Sequence, residues 1–409
     1  MFEGFKSLPR NAKACIATEP LWALVAPATI YFMPLFQKQL GLSELQMGSL
    51  NSINIAAGLI FYLFAAPLTN KLGRRRTSFL FDFAAWTIPM LLWAMARSYT
   101  WFLLATISNA VVRIIYVSWN LLLSEDAHET QRPAIFGYIN AIGSLGGITT
   151  LAGGILIQKY GVVPAMRGLF WAGATSISFL FIIRYIYSRE TKVGEYMMAK
   201  TRGENLLLLV GRQLPGALQA LREPFFRRMT GIYFIGNAIL SIDFFRVLYL
   251  KDVKALNPLT VSLLPALGAL FSFIVFFIIL PRRKEQKDKK SLAFAFLACF
   301  LAQFLFIIIP SGSIAAAIVV FPALQASVAL FQTFRDTVFM NGTDAEYKSD
   351  RFSLIQILMM LFSIPIGWLA GLLYSMDPRL PFILASTFYL AGFFLARDIQ
   401  RLGGKHERH

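Results

Sequence analysis

Residues 70–78 read NKLGRRRTS, with four cations in the turn. LIFYLFAAPL (59–68) precedes it, and FLF (79–81) and FAAWTIPMLLWAMA (83–96) follow it, almost free of charge. A basic turn held between apolar runs reads either as a plain solvated loop or as the mark of one side of a membrane. The rest of the chain decides between them.

Of the 409 residues, 56% are hydrophobic and only 15% charged. A soluble protein of this size needs far more polar surface to cover its core. Apolar runs of about 20 residues, long enough to cross roughly 30 Å of hydrocarbon as helices, recur one after another. The chain therefore reads as a polytopic all-α membrane protein. Its formal charge of +17 does not point to nucleic acid, because the cations sit in short turns and not on one continuous basic face. Only two cysteines occur, Cys15 and Cys299, so no disulfide framework is implied. The three histidines (His128, His406, His409) lie in loops or the tail, which excludes an intramembrane histidine metal site or proton relay. The N-terminus lacks a compact apolar core followed by a small-residue cleavage site, and reads as a cytoplasmic leader into the first span.

Twelve helices are predicted. The first six run over 16–37, 44–67, 77–96, 100–123, 134–158 and 164–186, and the second six over 229–250, 259–281, 291–309, 314–337, 352–375 and 381–397. With the N-terminus inside, the inner segments hold roughly 29 Lys and Arg and the outer turns about 7. The inner set includes the basic turn, the segment RRKEQKDKK (282–290) and the tail. Both termini are thus expected in the cytoplasm, in a multi-pass protein of the cell membrane. Residues 187–228 separate six spans from six. Within them Leu214, Leu218 and Leu221 have helical spacing with basic residues beyond, as in a short helix lying on the inner leaflet or a simple tether. The expected division is 1–186 and 229–409 as two six-helix bundles joined by that linker.

An internal repeat supports this division. EDAHETQR after the fourth span matches TDAEYKSDR after the tenth, which aligns Asp126-Ala127 with Asp344-Ala345 and Arg132 with Arg351. Each is followed by a span containing Leu-Ala-Gly. Parallel repeats of six helices, related by an axis along the membrane normal, are an organisation of secondary transporters.

Twelve spans in two repeats, with a cationic glycine turn between the second and third, resemble the major facilitator superfamily. The family's loop signature is Gly-x-Leu-Ala-Asp-Arg-x-Gly-Arg-Arg. Here those positions hold Ala66, Leu68, Thr69, Asn70, Lys71, Gly73, Arg74 and Arg75. The second glycine, leucine and basic positions fit, while the family's aspartate is Asn70 and its first glycine is Ala66. The resemblance implies a gating turn in which Arg74 pairs with Asp126 or Glu125 at the end of span four and residue 70 caps a helix of the other half. Asn70 keeps the capping capacity without the charge. The family's antiporters carry Gly-Pro-x-x-Gly-Gly in span five; Thr149 to Gly154 here match only the last two glycines, a slight lean to export.

Span four carries Thr106, Asn109, Arg113, Tyr116 and Asn120 at offsets of 3, 4, 3 and 4, one polar stripe on an apolar cylinder. An arginine near mid-membrane costs roughly 2.5–3.5 kcal/mol on insertion scales, so Arg113 must face protein or water. Substrate or coupling contact and a plain interhelical ion pair both satisfy that demand. Span ten shows Gln325, Gln332 and Asp336 on one face, and span two Asn51, Asn54, Gly58 and Tyr62. Span seven carries Asp243 and Arg246 at i, i+3. Glu19 and Asp82 read as cavity acids or helix-end charges, and Arg184 as a cation snorkelling to the interface. The resemblance implies that spans one, four, seven and ten line a central cavity.

No Gly-Lys-Ser/Thr phosphate loop is present, so ATP hydrolysis is not the expected driver, and no metal or other cofactor is expected. The expected function is secondary active transport of a small organic solute by a monomer, driven by a proton gradient. Import of an anionic solute onto Arg113 is the alternative within that class. A scaffold that kept the fold is the alternative outside it, and the charges in the spans argue against it.

Overall fold

The structure is a computed structural model, and it describes residues 5, 7–211, 222–274, 288–343 and 348–406. In hydrocarbon every backbone N–H and C=O must find its partner within the segment, which leaves the helix as the form for an apolar run of this length. The described residues contain helices and no strand. The apolar helices are numbered α1 (Arg10–Gln39), α2 (Glu44–Leu72), α3 (Arg74–Met95), α4 (Tyr99–Ser124), α5 (Arg132–Tyr160) and α6 (Val162–Tyr187). After the linker come α7 (Pro224–Asp243 with Arg246–Val253), α8 (Pro258–Ile274), α9 (Asp288–Ile308), α10 (Ile314–Asn341), α11 (Lys348–Met376) and α12 (Leu380–His406). Ten of these are long and apolar enough to cross a membrane by themselves, and α7 makes an eleventh if its two parts, bent by 44°, form one span. The predicted eighth span, 259–281, is described only as far as Ile274.

The chain falls into two compact units, Met1–Leu42 with Ile53–Pro215, and Ser43–Ser52 with Gly216–His409. In the first, α6 packs against α1, α3 and α5. One core cluster joins Leu8, Ala12, Cys15 and Ile16 to Leu122, Leu123 and Ile135; another joins Ala65 and Ala85 to Ile114 and Ile115. In the second unit, α9 packs against α10 and α12, and α7 against α11 and α12. The first turns of α2 join this second unit because glycines allow backbones to touch. A Cβ on Gly48 would stand 2.4 Å from the Gly367 carbonyl oxygen, and Ser52 Oγ accepts a 2.8 Å bond from the Trp368 N–H.

Several helices differ from their predicted form. α1 starts at Arg10, ahead of the predicted 16, and breaks at Leu24–Val25, two residues before Pro27. α12 continues to His406, past the predicted 397, so the basic tail extends the helix. α4 is interrupted at Val111, between Asn109 and Arg113. In the linker, Lys192–Lys200 and Leu206–Gly211 are helical. The predicted surface helix bearing Leu214, Leu218 and Leu221 lies outside the described residues, as do Asp344 and Ala345.

Candidate functional site

The basic turn forms a tight knot in the first unit. Gly73 adopts φ +86°, the left-handed region open to glycine, and a Cβ there would meet Glu190 Oε2 at 2.4 Å. That turn lets α3 start at Arg74, with its first N–H groups free to bind an anion. Glu190, three residues past α6, provides the anion: its carboxylate accepts from the backbone N–H of Arg74 at 2.8 Å and of Arg75 at 3.0 Å. Arg74 itself makes two bonds to Glu125, Nε to Oε2 and Nη2 to Oε1, both 3.0 Å, with both side chains largely buried. Of the two acids ending α4 it is therefore Glu125, not Asp126, that holds Arg74.

Asp126 instead accepts from Asn11 Nδ2 at 2.9 Å, and Asn11 Oδ1 accepts from the Arg189 N–H. Asn70 accepts from Arg74 Nη1 at 3.2 Å, so its side chain serves its own turn. Arg132 lies exposed at the first position of α5, outside the knot. The acid Glu190 escaped sequence reasoning. It belongs to the linker, 116 residues from its partner, and no local pattern marks it.

A second cluster corrects two expectations. Arg184 does not snorkel; its side chain is buried and pairs with Asp82 of α3, with Glu19 of α1 close enough to interact with both. The Arg184 guanidinium also stands 5.4 Å from the centre of the Phe181 ring. A cation surrounded by acids on neighbouring helices gains more there than at the interface, so Asp82 is no free helix-end charge either. Glu19 thus has a cationic neighbour that its own stretch of sequence does not reveal.

The polar stripe of α4 divides into two roles. Directly after Asp82, Phe83–Thr87 of α3 form a π turn, which leaves carbonyls short of helical partners. Asn109 Nδ2 donates to the Ala85 carbonyl at 2.8 Å, and Ser108 donates to that of Ala84. Asn54 of α2 donates to the Thr106 carbonyl at 3.2 Å. It also points at Asn109 Oδ1, 3.5 Å away. These amides tie α2, α3 and α4 together. Asn120 donates back to the Tyr116 carbonyl, and Thr106 is buried.

Arg113 is different. Its Nε is buried without a hydrogen-bond partner, and its electrostatic neighbours are the tyrosines 62 and 116, not a carboxylate. Tyr116 is exposed.

In the second unit the break in α7 separates Asp243, the last residue of one part, from Arg246, the first of the next, and the two form an ion pair. A broken helix places a charged pair beside free helix ends, an arrangement that transporters use to hold ions and substrates. Arg246 is buried; its Nε and Nη1 have no partner, and Phe306 lies 5.1 Å from its guanidinium. Asn51 donates to the Ser241 carbonyl in the same region, at 3.3 Å.

Asp336 of α10 accepts from Tyr233 at 2.7 Å and from Arg335 at 2.9 Å. Arg335 stacks over the Tyr233 ring at 4.3 Å and was missed in the sequence, masked by the acid that follows it. Gln325 packs on Gly268, and Gln332 is exposed. At the opposite end of α7, Lys254 donates to the Ile307 and Ile309 carbonyls at the C-terminus of α9. Burial, with Arg379 nearby, holds that ammonium below the usual lysine range.

Two glycines of span five, Gly146 and Gly153, pack closely on α1. Gly146 receives Pro27, and a Cβ on Gly153 would touch Ala28 and Phe32 of α1.

A search against curated protein sequences finds no match. Solved structures share the fold. The nucleoside transporter NupG aligns with a TM-score of 0.71 at 12% identity, over 95% of this chain and 98% of that one. A POT family transporter in complex with 5-aminolevulinic acid aligns at 0.70 and 11%, over 97% and 96%. A bacterial homologue of the human lysosomal transporter Spinster aligns at 0.66 and 13%, over 95% and 96%. The family model described as Major Facilitator Superfamily matches residues 23–364, and the chain, a multi-pass membrane protein of the transporter class, belongs to that superfamily.

Proposed function

We propose that this protein is a proton-coupled secondary transporter of a small organic solute carrying a negative group, a carboxylate in the simplest case, bound by Arg113. It would act as a monomer in the cell membrane, with both termini in the cytoplasm, as the loop charges favour. The observation that carries the substrate class is the state of Arg113. Arg74, Arg184, Arg246 and Arg335 each have a carboxylate in hydrogen-bonding contact. Arg113 has none among the described residues, although its Nε is buried. A desolvated guanidinium left without a counter-ion is costly, and a substrate anion would supply the partner.

The Asp243–Arg246 pair is the coupling element in this proposal, and the Arg74–Glu125 knot the gate. Gly153, one of the two glycines behind the lean to export, packs on Ala28 and Phe32 of α1, so the direction of transport is a readout of the experiment and not a premise. A library of small organic acids, amines and neutral solutes is screened by thermal shift on purified protein. A ligand at 100 times its Kd stabilises the fold by about 2.7 kcal/mol. Acids should raise the melting temperature of the wild type and lose that effect in Arg113→Gln. Hits confined to amines or neutral compounds, or an undiminished shift in the variant, would overturn the substrate class. Proteoliposomes loaded with a hit then report uptake or release under an imposed pH gradient.

A further inference from the structure

We infer that a groove between α1 and α6 is a binding site for one anionic phospholipid, with the phosphate at Arg10 and Lys13 and an acyl chain along the helices. The groove has a volume of about 510 Å³. Its floor and walls are mostly apolar, with Ala17 and Leu21 from α1 and Ile183 from α6, and Thr18 spends its hydroxyl on the Ala14 carbonyl. Its chemistry changes at one end only. There Arg10, Lys13 and Tyr187 stand together, at the same end of the unit as the basic turn.

The cations are available to a ligand. Arg10 donates from Nε to the Tyr187 carbonyl at 2.6 Å, and its two terminal nitrogens make no hydrogen bond or ion pair among the described residues. Lys13 is half-buried and makes no ion pair among the described residues. Such an ammonium at the mouth of an apolar groove is matched by a group that is anionic at one end and hydrocarbon beyond it.

The lengths agree. From Arg10 to Leu21 the helix rises by about 16 Å at 1.5 Å per residue, roughly the depth of one leaflet. Ala17 is exposed, and Leu24, two turns further along, is 60% exposed. An exposed apolar strip on a membrane helix faces acyl chains. A small soluble anion would need the cations but not the groove. A zwitterionic lipid would fill the groove but gain little from the cations, since basic pockets beside membrane helices select anionic head groups. The site shares no residue with the proposed solute site at Arg113, so the two readings stand or fall separately.

The test uses the full-length chain, delipidated in detergent and given equal amounts of phosphatidylglycerol and phosphatidylcholine. Native mass spectrometry counts the lipids retained. The wild type should keep one phosphatidylglycerol that resists removal. Lys13→Gln should weaken its retention roughly fivefold. Ala17→Trp fills the groove but leaves both cations in place, and it should release that lipid while the melting temperature stays near the wild-type value. Equal retention of the two lipids by the wild type overturns the proposal. So does an Ala17→Trp variant that keeps phosphatidylglycerol, which would assign the contact to surface charge alone. Should Ala17→Trp fail to fold, Lys13→Gln carries the test, and unchanged retention there is equally fatal.

Discussion

Arg184 lies three residues before the end of α6, where a cation in an apolar helix is expected to reach for head groups. It turns inward because Asp82 on α3 offers it a charge and Glu19 on α1 adds a second. Sequence periodicity reveals which side chains share one helix face, but it carries no information on which helix stands opposite. That limit explains the residue-scale result as a whole. Arg74 and an acid of span four, and Asp243 with Arg246, were legible because a motif or an i, i+3 spacing names both partners. Glu190 beneath the turn, Arg184 with Asp82 and Arg335 with Tyr233 were not, since each joins elements far apart in the chain. The buried pair makes a sharp prediction. Removing one partner, as in Arg184→Met, leaves Asp82 buried and uncompensated and should cost about 3–5 kcal/mol. Arg184→Met with Asp82→Leu should recover most of that loss. Melting temperatures in detergent decide it: a double variant no more stable than the single one would mean that the pair is not the source of the loss.

Helix existence was legible nearly everywhere, because 20-residue apolar runs have one form in a bilayer. Helix interruptions were not. The π turn at Phe83–Thr87 and the break at Val111 contain no proline or glycine, and they depend on each other through space. Ser108 and Asn109 satisfy the carbonyls that the π turn releases. The break in α7 at Phe244–Phe245 is equally silent in the sequence, although it sets the Asp243–Arg246 pair. The start of α3 shows what such local geometry is worth. Glu190 holds two N–H groups at a helix N-terminus that also carries a positive dipole end. Glu190→Ala should therefore destabilise this turn by about 1–2 kcal/mol. The amides of Arg74 and Arg75 should exchange with deuterium roughly tenfold faster, while those in the middle of α3 keep their rates. Unaltered exchange at 74 and 75 would show that the carboxylate does not cap the helix.

At the scale of the whole molecule, the repeat, the basic turn and the apolar runs sufficed for the superfamily, whereas the first turns of α2 joining the second unit could not be foreseen from a six-plus-six division. Orientation still rests on loop charge. Single cysteines at Ser98 and Ser375, both exposed, should react with a membrane-impermeant thiol reagent in intact cells, while one at Ala199 should not. The native thiols are buried and can stay in place. Reaction at 199 with protection at 98 and 375 would invert the assignment. Coupling is the last question at this scale. Arg246 is the cation paired with Asp243, and a buried charge that loses its partner is costly. Any step of the cycle that draws Arg246 away, such as the approach of an anionic solute, would leave Asp243 to take up a proton. Departure of the solute would restore the pair and expel the proton. Asp243→Asn mimics the protonated acid permanently. It should fold and bind solute and still exchange labelled for unlabelled solute across proteoliposomes. It should not concentrate solute under a pH gradient, since no proton can be released in the return step. If Asp243→Asn accumulates solute as the wild type does, coupling lies elsewhere, and Glu19, beside Arg184 in the first unit, becomes the acid to which the same substitution and the same pair of assays apply.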